Sequence, residues 1–566
     1  MNFPYKILVK GKGPETLQKH NYIAAGGEGT VCHIGGTAYK IYHDPGKMLP
    51  VAKIDELQHL SYLSNVLGPR DVILDGKTNK PVGFTMPYIH KTEFLCRLFN
   101  KNFKSDNNIT PEMVVELVKT MQKTVAEIHK QNILLVDLNE MNFLTNEKYA
   151  QLFFIDVDSY QTPNFKATAL MESVRDRQMK TNQFNEGTDW FSFAVVSFQL
   201  YMGYHPYRGG RHPKYKPSDW PQRMEDNVSV FNKDITLSPN WATWSLIPHP
   251  HLEWYKQVFD KKSRTIPPLP DGVSIIGAMG PTMIASTAKF DVTLLKDYTE
   301  NIQGVYFYNG LPCVITKTGV YSGTELLIRF TKKMPRMSLA NVIGGDPVLA
   351  IHEGEIVEFE DMQGNPLGSI AATAALQSNG NIYTIYDGEV IENMFTLFGK
   401  KIVHSTKCVC RVFEPATKVY PGAAVQDILG TCWLAIPYQP GLCTNLHIAE
   451  LDKQRIVDAK YENGICIILS ESKGKYDRWV LCFDSSMEKY TCRHQTDVPY
   501  SPVNFTTLAN GVCVHIPEED SVEVFRDNSK VNVVNDPPFD PSMKLVNDTS
   551  SVIFVNENRL QQVKLK

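Results

Sequence analysis

Apolar residues recur at helical spacing in the first half of the chain. One face of residues 110–129 carries Val114, Leu117, Val118, Met121, Val125 and Ile128. Thr110 can cap this helix, and Pro111 suits its first position. Residues 190–201 are apolar nearly all round, which predicts a buried helix that ends at Gly203. A third helix is predicted at residues 54–63.

Strand patterns dominate elsewhere. Residues 21–31 and 37–42 predict strands, the second following a tight Gly35-Gly36 turn. Beyond residue 300 short apolar strands recur at intervals of 33 to 50 residues, beginning at Cys313, Val348, Ile382, Cys432, Ile465, Val512 and Val552. This spacing is typical of the blades of a β-propeller, here with six or seven blades, and a pair of β-sandwiches is the alternative.

Composition narrows the class of protein. The chain has 566 residues, 58 Lys and Arg against 61 Asp and Glu, and 43% hydrophobic residues, which predicts several folded domains. The near-neutral charge argues against nucleic-acid binding, and no apolar stretch is long enough for a membrane span. The 11 cysteines form no CxxC pair, which favours reduced thiols. We therefore expect a cytoplasmic protein with no nucleic-acid or membrane partner.

Residues of the first hairpin suit contact with phosphates. Gly26 and Gly29 lie where a backbone approaching phosphate needs no Cβ, and Val31 could cover a base, although most glycine-rich turns are plain hairpins. Lys40 lies on the next strand, where an inward-facing lysine needs an anionic partner. Glu56 on the following helix could be that partner. Solvent-exposed positions for Lys40 and Glu56 are the alternative.

Three oxygen-bearing side chains follow the long helix. Asp137 and Asn142 are separated by four residues, and Asp156 follows a second apolar strand. Burying an acid between apolar strands is unfavourable unless it is paired or binds a metal. Carboxylate and amide oxygens suit Mg²⁺. Capped turns would explain each residue singly but not the ordered set.

In this order the motifs resemble those of the protein kinase superfamily, and the Ile155-Asp156-Val157-Asp158-Ser159 run is more similar to divergent bacterial or phage-type kinases. The resemblance covers residues 15–268. It implies an α+β bilobal kinase-like fold. With the strand spacing beyond residue 300, we expect a multidomain chain in which this fold precedes an all-β, propeller-like domain. The expected boundaries are an N-lobe at 1–100, a C-lobe at 101–270, a linker at 271–300 and the β-propeller at 301–566.

The resemblance also implies a role for each motif residue. Lys40 would hold ATP phosphates and pair with Glu56, Asp137 would orient the substrate hydroxyl, and Asn142 and Asp156 would bind Mg²⁺. Asp158 is an alternative metal ligand if the register shifts. Asp189 would brace the catalytic loop, and Glu172 would pair with Arg264. The residues expected around the nucleotide are Ala24, Gly26, Gly29, Val31, Ala38, Lys40, Met86 and Tyr88.

The chain departs from the kinase pattern at several positions. Ala24 replaces the first loop glycine, Leu135-Val136 replaces a His-Arg pair, and Asn139 replaces a lysine. The leading expectation is an ATP- and Mg²⁺-dependent Ser/Thr-type protein kinase, whose protein substrate is unidentified and whose propeller binds a protein partner. The alternatives are a pseudokinase that acts as a nucleotide-binding scaffold and a kinase of small molecules.

Overall fold

The computed structural model divides the chain into two compact units. The first comprises Met1–Lys104, Asn108–Gly280 and Lys473–Lys475, and the second comprises Ser105–Asn107, Pro281–Ser472 and Tyr476–Lys566. The structure describes residues 3–25, 28–167, 170–179, 183–237, 244–270, 289–308, 311–323, 325–330, 336–472, 474–508, 510–518, 521–535, 540–548 and 551–565.

A seven-stranded antiparallel sheet opens the first unit. Its strands are β1 (Tyr5–Val9), β2 (Gly13–Leu17), β3 (Tyr22–Ala25), β4 (Gly29–Ile34), β5 (Thr37–Tyr42), β6 (Val72–Asp75) and β7 (Pro81–Pro87). They lie in the order β2-β1-β6-β7-β5-β4-β3. One face buries a hydrophobic cluster that includes Ile7, Cys32, Tyr39, Ile41 and Ile73. One face of this sheet is therefore covered by a hydrophobic core.

Helices and a small sheet form the rest of this unit. The helices are α1 (Val51–Leu57), α2 (Lys101–Asp106), α3 (Pro111–His129), α4 (Glu186–Met202), α5 (Trp220–Asp226) and α6 (His249–Lys261). The small sheet has β8 (Thr92–Phe94), β9 (Phe143–Asn146) and β10 (Leu152–Phe154) in the order β10-β9-β8. Short 3₁₀ turns include Lys19–Asn21, Pro45–Lys47, Gln58–Leu60, Leu95–Phe99, Val157–Ser159, Pro217–Asp219 and Trp244–Leu246.

The two long helices begin and end for visible reasons. The Thr110 hydroxyl oxygen accepts a hydrogen bond from the Met113 N–H at 3.3 Å, which caps α3. Gly203 ends α4 with a left-handed φ of 83°. Residues 188–202 of α4 are all buried, as its apolar surface predicts. Of the helices that the structure describes, none has both the length and the apolar character to cross a membrane.

The second unit is built from strands. Its first half contains β11 (Phe290–Asp297), β12 (Gly304–Tyr308), β13 (Leu311–Ile315), β14 (Gly319–Ser322), β15 (Glu325–Arg329), β16 (Arg336–Ala340), β17 (Val342–Ile343), β18 (Val348–Glu353), β19 (Ile356–Glu360), β20 (Pro366–Ala371), β21 (Ala374–Ser378), β22 (Asn381–Tyr386), β23 (Glu389–Phe398) and β24 (Lys401–Arg411). Its second half contains β25 (Thr417–Tyr420), β26 (Ala423–Ile428), β27 (Thr431–Gln439), β28 (Leu442–His447), β29 (Arg455–Glu462), β30 (Ile465–Ser472), β31 (Lys475–Phe483), β32 (Tyr490–Val498), β33 (Phe505–Thr507), β34 (Cys513–Glu518), β35 (Ser521–Phe525), β36 (Val531–Asn535), β37 (Lys544–Asp548), β38 (Ser551–Asn556) and β39 (Arg559–Leu565).

These strands form seven sheets, each with four antiparallel strands. Sheet 1 has the order β11-β39-β38-β37, sheet 2 is β12–β15, sheet 3 is β16 with β18–β20, sheet 4 is β21–β24 with β17 added in parallel, sheet 5 is β25–β28, sheet 6 is β29–β32, and sheet 7 is β33–β36. Each of the seven recurring strands predicted from the sequence belongs to a different sheet. Of the linker expected at 271–300, residues 271–288 lie outside the described residues, and residues 290–297 form β11, an edge strand of sheet 1.

Each sheet shares a hydrophobic core with the next. Val314 and Ile553 lie in one cluster between sheets 1 and 2, and Phe359 and Phe395 lie in another between sheets 3 and 4. Further clusters join sheets 2 to 3, 4 to 5, 5 to 6 and 6 to 7. The last cluster joins sheet 7 back to sheet 1 through residues such as Ile516 and Phe554. The pairwise packing is therefore cyclic.

Candidate functional site

One face of the first sheet carries several of the residues expected around a nucleotide. Val31 on β4, Lys40 on β5 and Phe84 on β7 are direct cross-strand neighbours. Paired residues point to the same side of a sheet, and so do residues two apart on one strand. Ala38, which pairs with Met86, therefore shares this face. The opposite face is closed by the cluster around Ile41, so this face lines the candidate site.

Gly29, at the start of β4, lacks a side chain for a second reason, besides the phosphate contact that its sequence indicates. A Cβ added to Gly29 would lie 2.5 Å from the Ile41 carbonyl oxygen. The absence of a side chain at Gly29 is therefore required by packing against β5, and not only by an approaching phosphate. Ala24 pairs with Val31 across this hairpin. Gly26 lies outside the described residues.

Met86 and Tyr88, both expected around the nucleotide, lie near the end of β7 and directly after it. The Tyr88 N–H donates to the Gly36 carbonyl oxygen at 3.0 Å, and the Tyr88 ring stacks on His33 with 4.4 Å between centroids. The Tyr88 N–H is thus used inside the protein. Met86, two residues earlier, keeps its place on the sheet face beside Ala38.

Lys40 is held by an aspartate. Its Nζ lies 2.6 Å from Asp158 Oδ2, and both side chains are less than 15% exposed. The Tyr42 hydroxyl donates to the same carboxylate oxygen at 3.1 Å. Burial alone would lower the pKa of Lys40, but the charges of Asp158 and Asp156 outweigh burial and raise it. Burial would raise the pKa of Asp158, but Lys40 reverses this and holds it below its ordinary value. The pair is therefore ionised.

Glu56 is not the partner of Lys40, which corrects the pairing expected from the sequence. The Asn164 side-chain amide donates to Glu56 Oε1 at 2.6 Å. Lys53 lies on the buried side of α1. Its Nζ donates a hydrogen bond to the Asp158 carbonyl oxygen at 2.7 Å. The helix therefore contributes a cation where an anion was expected, and the anion comes from residue 158.

The loop between α3 and β9 carries Asp137 and Asn142. The Met171 N–H donates to Asp137 Oδ1 at 2.7 Å, and the Asn142 side-chain amide donates to the Asp137 carbonyl oxygen at 2.8 Å. Burial raises the pKa of the Asp137 carboxyl above its ordinary value, against the effect of the Met171 N–H. Asn139, at the position where kinases have a lysine, accepts a hydrogen bond from the Met141 N–H at 2.8 Å. Asn139 therefore stabilises the loop itself.

Asp156 occupies a strained position directly after β10. Its φ is 53°, in the left-handed region that few residues other than glycine adopt. The residue is exposed. The charge of Asp156 acts on Lys40 and on Asp137 and raises the pKa of both. Asp156 is therefore near enough to both Lys40 and Asp137 for its charge to act on each.

Asp189 binds the start of the same loop from within the protein. Its carboxylate is fully buried and accepts the N–H groups of Leu135 and Val136, both at 2.8 Å. His129 Nε2 lies 2.9 Å from Asp189 Oδ2. Val136 has a φ of 64°, an unfavourable value for a β-branched residue. The hydrogen bonds to Asp189 hold that strained backbone, and Asp189 thus fixes the loop that carries Asp137.

Arg264 forms a two-pronged ion pair with Asp176. Its Nε and one terminal nitrogen each lie 2.6 Å from an Asp176 carboxylate oxygen. The expected partner, Glu172, pairs instead with Arg177 at 2.6 Å. The Arg264 guanidinium also lies over the Phe191 ring, 4.5 Å from its centroid. Asp176 is therefore the carboxylate that ties the segment after α6 to the loop before α4.

The donor set fits a hard divalent cation held together with phosphate. Hydrogen bonding of the Asn142 amide nitrogen to Asp137 leaves its oxygen for a ligand, and Asp156 supplies an exposed carboxylate. Mg²⁺ typically takes one or two carboxylates plus substrate phosphates. Within the described residues, no group of three or more His, Cys, Asp and Glu side chains is arranged to hold a metal alone. Asn142 and Asp156 are the residues of this arrangement that could hold Mg²⁺ beside a phosphate.

Two residues of this arrangement were not found from the sequence. Lys53 carried one signal, because it falls on the buried side of α1 with Ile54 and Leu57, and a buried lysine requires an anion. Asp176 carried none, because it lies in an irregular segment whose contacts depend on the tertiary fold.

Part of the chain is similar in sequence to a known protein kinase. No protein-family model matches it. Over 216 residues the chain is 24% identical to ribosomal protein S6 kinase alpha-1 from mouse, rat and human, which is 36% of this chain and 27% of the kinase. The chain thus spans about a quarter of the length of these relatives.

Among solved structures, the ROP18 kinase domain in complex with AMP-PNP and sucrose aligns with 14% identity and a TM-score of 0.34, covering 48% of this chain and 80% of that one. The sequence similarity to S6 kinase makes the chain kinase-like over about a third of its length.

Proposed function

We propose that the first unit is an ATP- and Mg²⁺-dependent protein kinase of the Ser/Thr type. The observation that carries the proposal is the convergence on one site of Lys40, of Asp137 and Asn142 from one loop, and of Asp156, from three separate parts of the chain. A cation and several oxygen ligands gathered at one site have little structural use unless they bind an anion and a metal. The similarity to S6 kinase supports the same reaction class.

Each side chain has a role that its position supports. Lys40, on the sheet face beside Val31 and Ala38, would bind the phosphates of ATP. Asp137, whose Oδ1 is fixed by the Met171 N–H, would orient the hydroxyl of the protein substrate and accept its proton. Asn142 and Asp156 would hold Mg²⁺, which when bound neutralises charge that develops on the transferred phosphate.

Asp158 supplies the carboxylate that orients Lys40. The 2.6 Å pair fixes the lysine side chain, and Lys53 fixes the backbone of Asp158 from α1. The helix can thus influence the lysine through Lys53 and Asp158, although Glu56 faces elsewhere. Positioning and charge stabilisation provide most of the catalysis in phosphoryl transfer. A site in which Asp158 takes the role expected of Glu56 is therefore compatible with activity.

The second unit would be a β-propeller that binds a protein partner or the substrate. Seven four-stranded sheets, their cyclic packing and the completion of sheet 1 by β11 support a closed ring of seven blades. Loops on such a rigid scaffold commonly bind other proteins. We place the protein in the cytoplasm, because the cysteines of the described structure are free thiols. The near-neutral charge argues against a nucleic-acid partner.

A pseudokinase is the second candidate, and one observation favours it. Lys40 is already paired with Asp158, while Asn139 replaces the lysine that would approach the γ-phosphate and is engaged within its own loop. A protein with this arrangement could bind nucleotide without transferring phosphate.

Transfer of labelled γ-phosphate from ATP tests the proposal. The full chain is incubated with Mg²⁺, alone and with a cell lysate, beside the variant Asp137→Asn. Protein label that depends on Asp137 is the expected result. Label recovered only in small molecules would indicate a kinase of another substrate class.

A thermal shift separates the remaining outcomes. An ATP-induced rise in Tm that requires Mg²⁺ indicates an intact metal site, since a ligand that binds the folded state stabilises it. ATP binding that is indifferent to Mg²⁺, with background label in both proteins, would contradict the kinase and leave the nucleotide-binding scaffold.

A further inference from the structure

Two thiols in the second unit are nearly in bonding contact. Cys410 lies on β24, the outer strand of sheet 4, and Cys443 lies on β28, the outer strand of sheet 5. Their Sγ atoms are 3.1 Å apart, about 1 Å more than the roughly 2.05 Å of a disulfide bond. A small rotation of the two side chains therefore suffices to bring the sulfurs together.

A β-bulge places Cys410 in this position. Val390 and Ile391, adjacent on β23, pair with Cys410 and Cys408, so Val409 is an extra residue in β24. Cys410 and Cys443 both pack against the hydrophobic cluster between sheets 4 and 5. The geometry of the pair is therefore set by the packing of two sheets and not by a flexible loop.

Reactivity and access distinguish this pair from most of the other thiols. Cys410 and Cys443 are partly exposed and Cys408 is fully exposed, whereas Cys32, Cys96, Cys313, Cys432, Cys466 and Cys513 are buried. The Cys443 S–H donates to Cys410 Sγ, which lowers the pKa of Cys410. The hydrogen bond to Cys410 raises the pKa of Cys443. Cys410 is therefore the thiol that becomes a nucleophile more readily.

We propose that Cys410 and Cys443 are a reversible oxidation site, at which a hydroperoxide forms a disulfide between sheets 4 and 5. The Cys410 thiolate attacks the peroxide, an S–O bond forms, the O–O bond breaks, and an alkoxide or hydroxide leaves. The Cys443 sulfur then attacks the Cys410 sulfur, the S–O bond breaks, and water leaves with the Cys443 proton. Two electrons pass from the sulfurs to the peroxide.

Oxidation would stiffen the second unit. The disulfide would join strands that are 33 residues apart in sequence and restrict the unfolded chain. It would also fix two neighbouring sheets to each other at their outer edges. A thiol reductant reverses the change.

Peptide mapping of the full chain tests this site. Protein reduced and freed of reductant is treated with hydrogen peroxide, the remaining thiols are blocked, and peptides are analysed with and without reduction. We expect a cross-linked peptide pair that contains Cys410 and Cys443 and is lighter by two hydrogens than the sum of the two reduced peptides. We also expect oxidation to raise Tm and added reductant to return Tm to its starting value.

Single variants provide the comparison. Cys443→Ser is expected to remove both the cross-link and the Tm rise, while Cys482→Ser, which changes another partly exposed thiol in the same unit, keeps both. The proposal is overturned if the native protein keeps Cys410 and Cys443 as free thiols under peroxide, or if Cys443 cross-links to Cys408 in place of Cys410. The mapping uses the unaltered protein, so it holds even if a variant fails to fold.

Discussion

The lysine of the candidate site takes its counter-charge from an unexpected position. Asp158 stands two residues after Asp156, where the kinase pattern has glycine, and its carboxylate lies within 3.1 Å of both Lys40 and Tyr42. Lys40 also lies 3.5 Å from the mostly exposed carboxylate of Glu28, so loss of Asp158 would leave the charge of the lysine only weakly compensated. The identity of the partner is therefore a direct test of how the site works.

Replacing the two acids separately gives opposite expectations. Asp158→Asn should lower γ-phosphate transfer about 100-fold, because Lys40 loses its orientation. Glu56→Gln should change it less than about twofold, because the hydrogen bonds of Glu56 go to Asn164 and Thr162 and not to Lys40. Steady-state rates and the Kd for ATP are measured for both variants, with Asp158→Glu as a test of rescue. A large loss in Glu56→Gln alone would contradict the assignment.

The sequence could identify the reactive residue types but not all their partners. Spacing placed Val31, Ala38, Lys40 and Met86 on strands, and period-two alternation puts such residues on a common face. The face of α1 that points to the candidate site depends on how the helix packs. This packing brings Lys53 to Asp158 and leaves Glu56 with Asn164. Partners such as Asp176 lie in segments without regular secondary structure, where no local sequence pattern indicates their contacts.

At the scale of elements, helix α4 is the part most fully determined by its own sequence. Its apolar surface predicts burial on all sides, and Gly203 is the predicted end. The structure adds a second constraint, because a Cβ at Gly203 would lie 2.6 Å from the Phe99 carbonyl oxygen. This position requires glycine for its backbone angle and for its packing.

Two glycine substitutions separate these effects. Gly203 and Gly11 have nearly the same φ, 83° and 82°, but a Cβ at Gly11 meets no atom within 4 Å. Gly11→Ala should lower the free energy of unfolding by about 1 kcal/mol, the cost of the left-handed angle. Gly203→Ala should lower it by about 3 kcal/mol, because steric overlap is added. Denaturant unfolding measures both, and equal losses would show that the overlap relaxes freely.

The strands of the second unit show where element prediction is limited. Each apolar run of four or five residues identified one strand per sheet, since buried central strands are strongly apolar. The outer strands were missed because they are polar and exposed, as the burial of β24 and β32 shows. Which strands belong to one sheet depends on pairings far apart in sequence, of which β11 with β39 is the extreme case.

For the whole molecule, buried histidines predict a sensitivity to acid. Burial lowers the pKa of His205 to about 3 and of His251 and His515 to about 4. These residues are neutral in the folded protein, and the unfolded chain binds more protons once the pH falls below about 6.5. Stability is therefore complete above that pH and decreases as the pH falls towards 4, in both units.

Helix α6 offers a matched test of this dependence. His251 is fully buried and His249 is exposed on the same helix. At pH 5 the protonation of His251 on unfolding should cost the folded state about 2 kcal/mol relative to neutral pH. His251→Gln should flatten the decrease of stability between pH 7 and pH 5, and His249→Gln should leave it unchanged. The same slope in all three proteins would contradict the prediction.

The pairing of β11 with β39 also sets an order in time. β11 is the first strand of its unit to leave the ribosome, and its partner is the last. At about 5–20 residues per second, β11 waits on the order of tens of seconds for that partner. During this interval its apolar side chains, Phe290 and Val292 among them, have no sheet to join, and the cores on both sides of sheet 1 remain open. A nascent chain in this state would be a substrate for chaperones and prone to pair with a neighbouring copy.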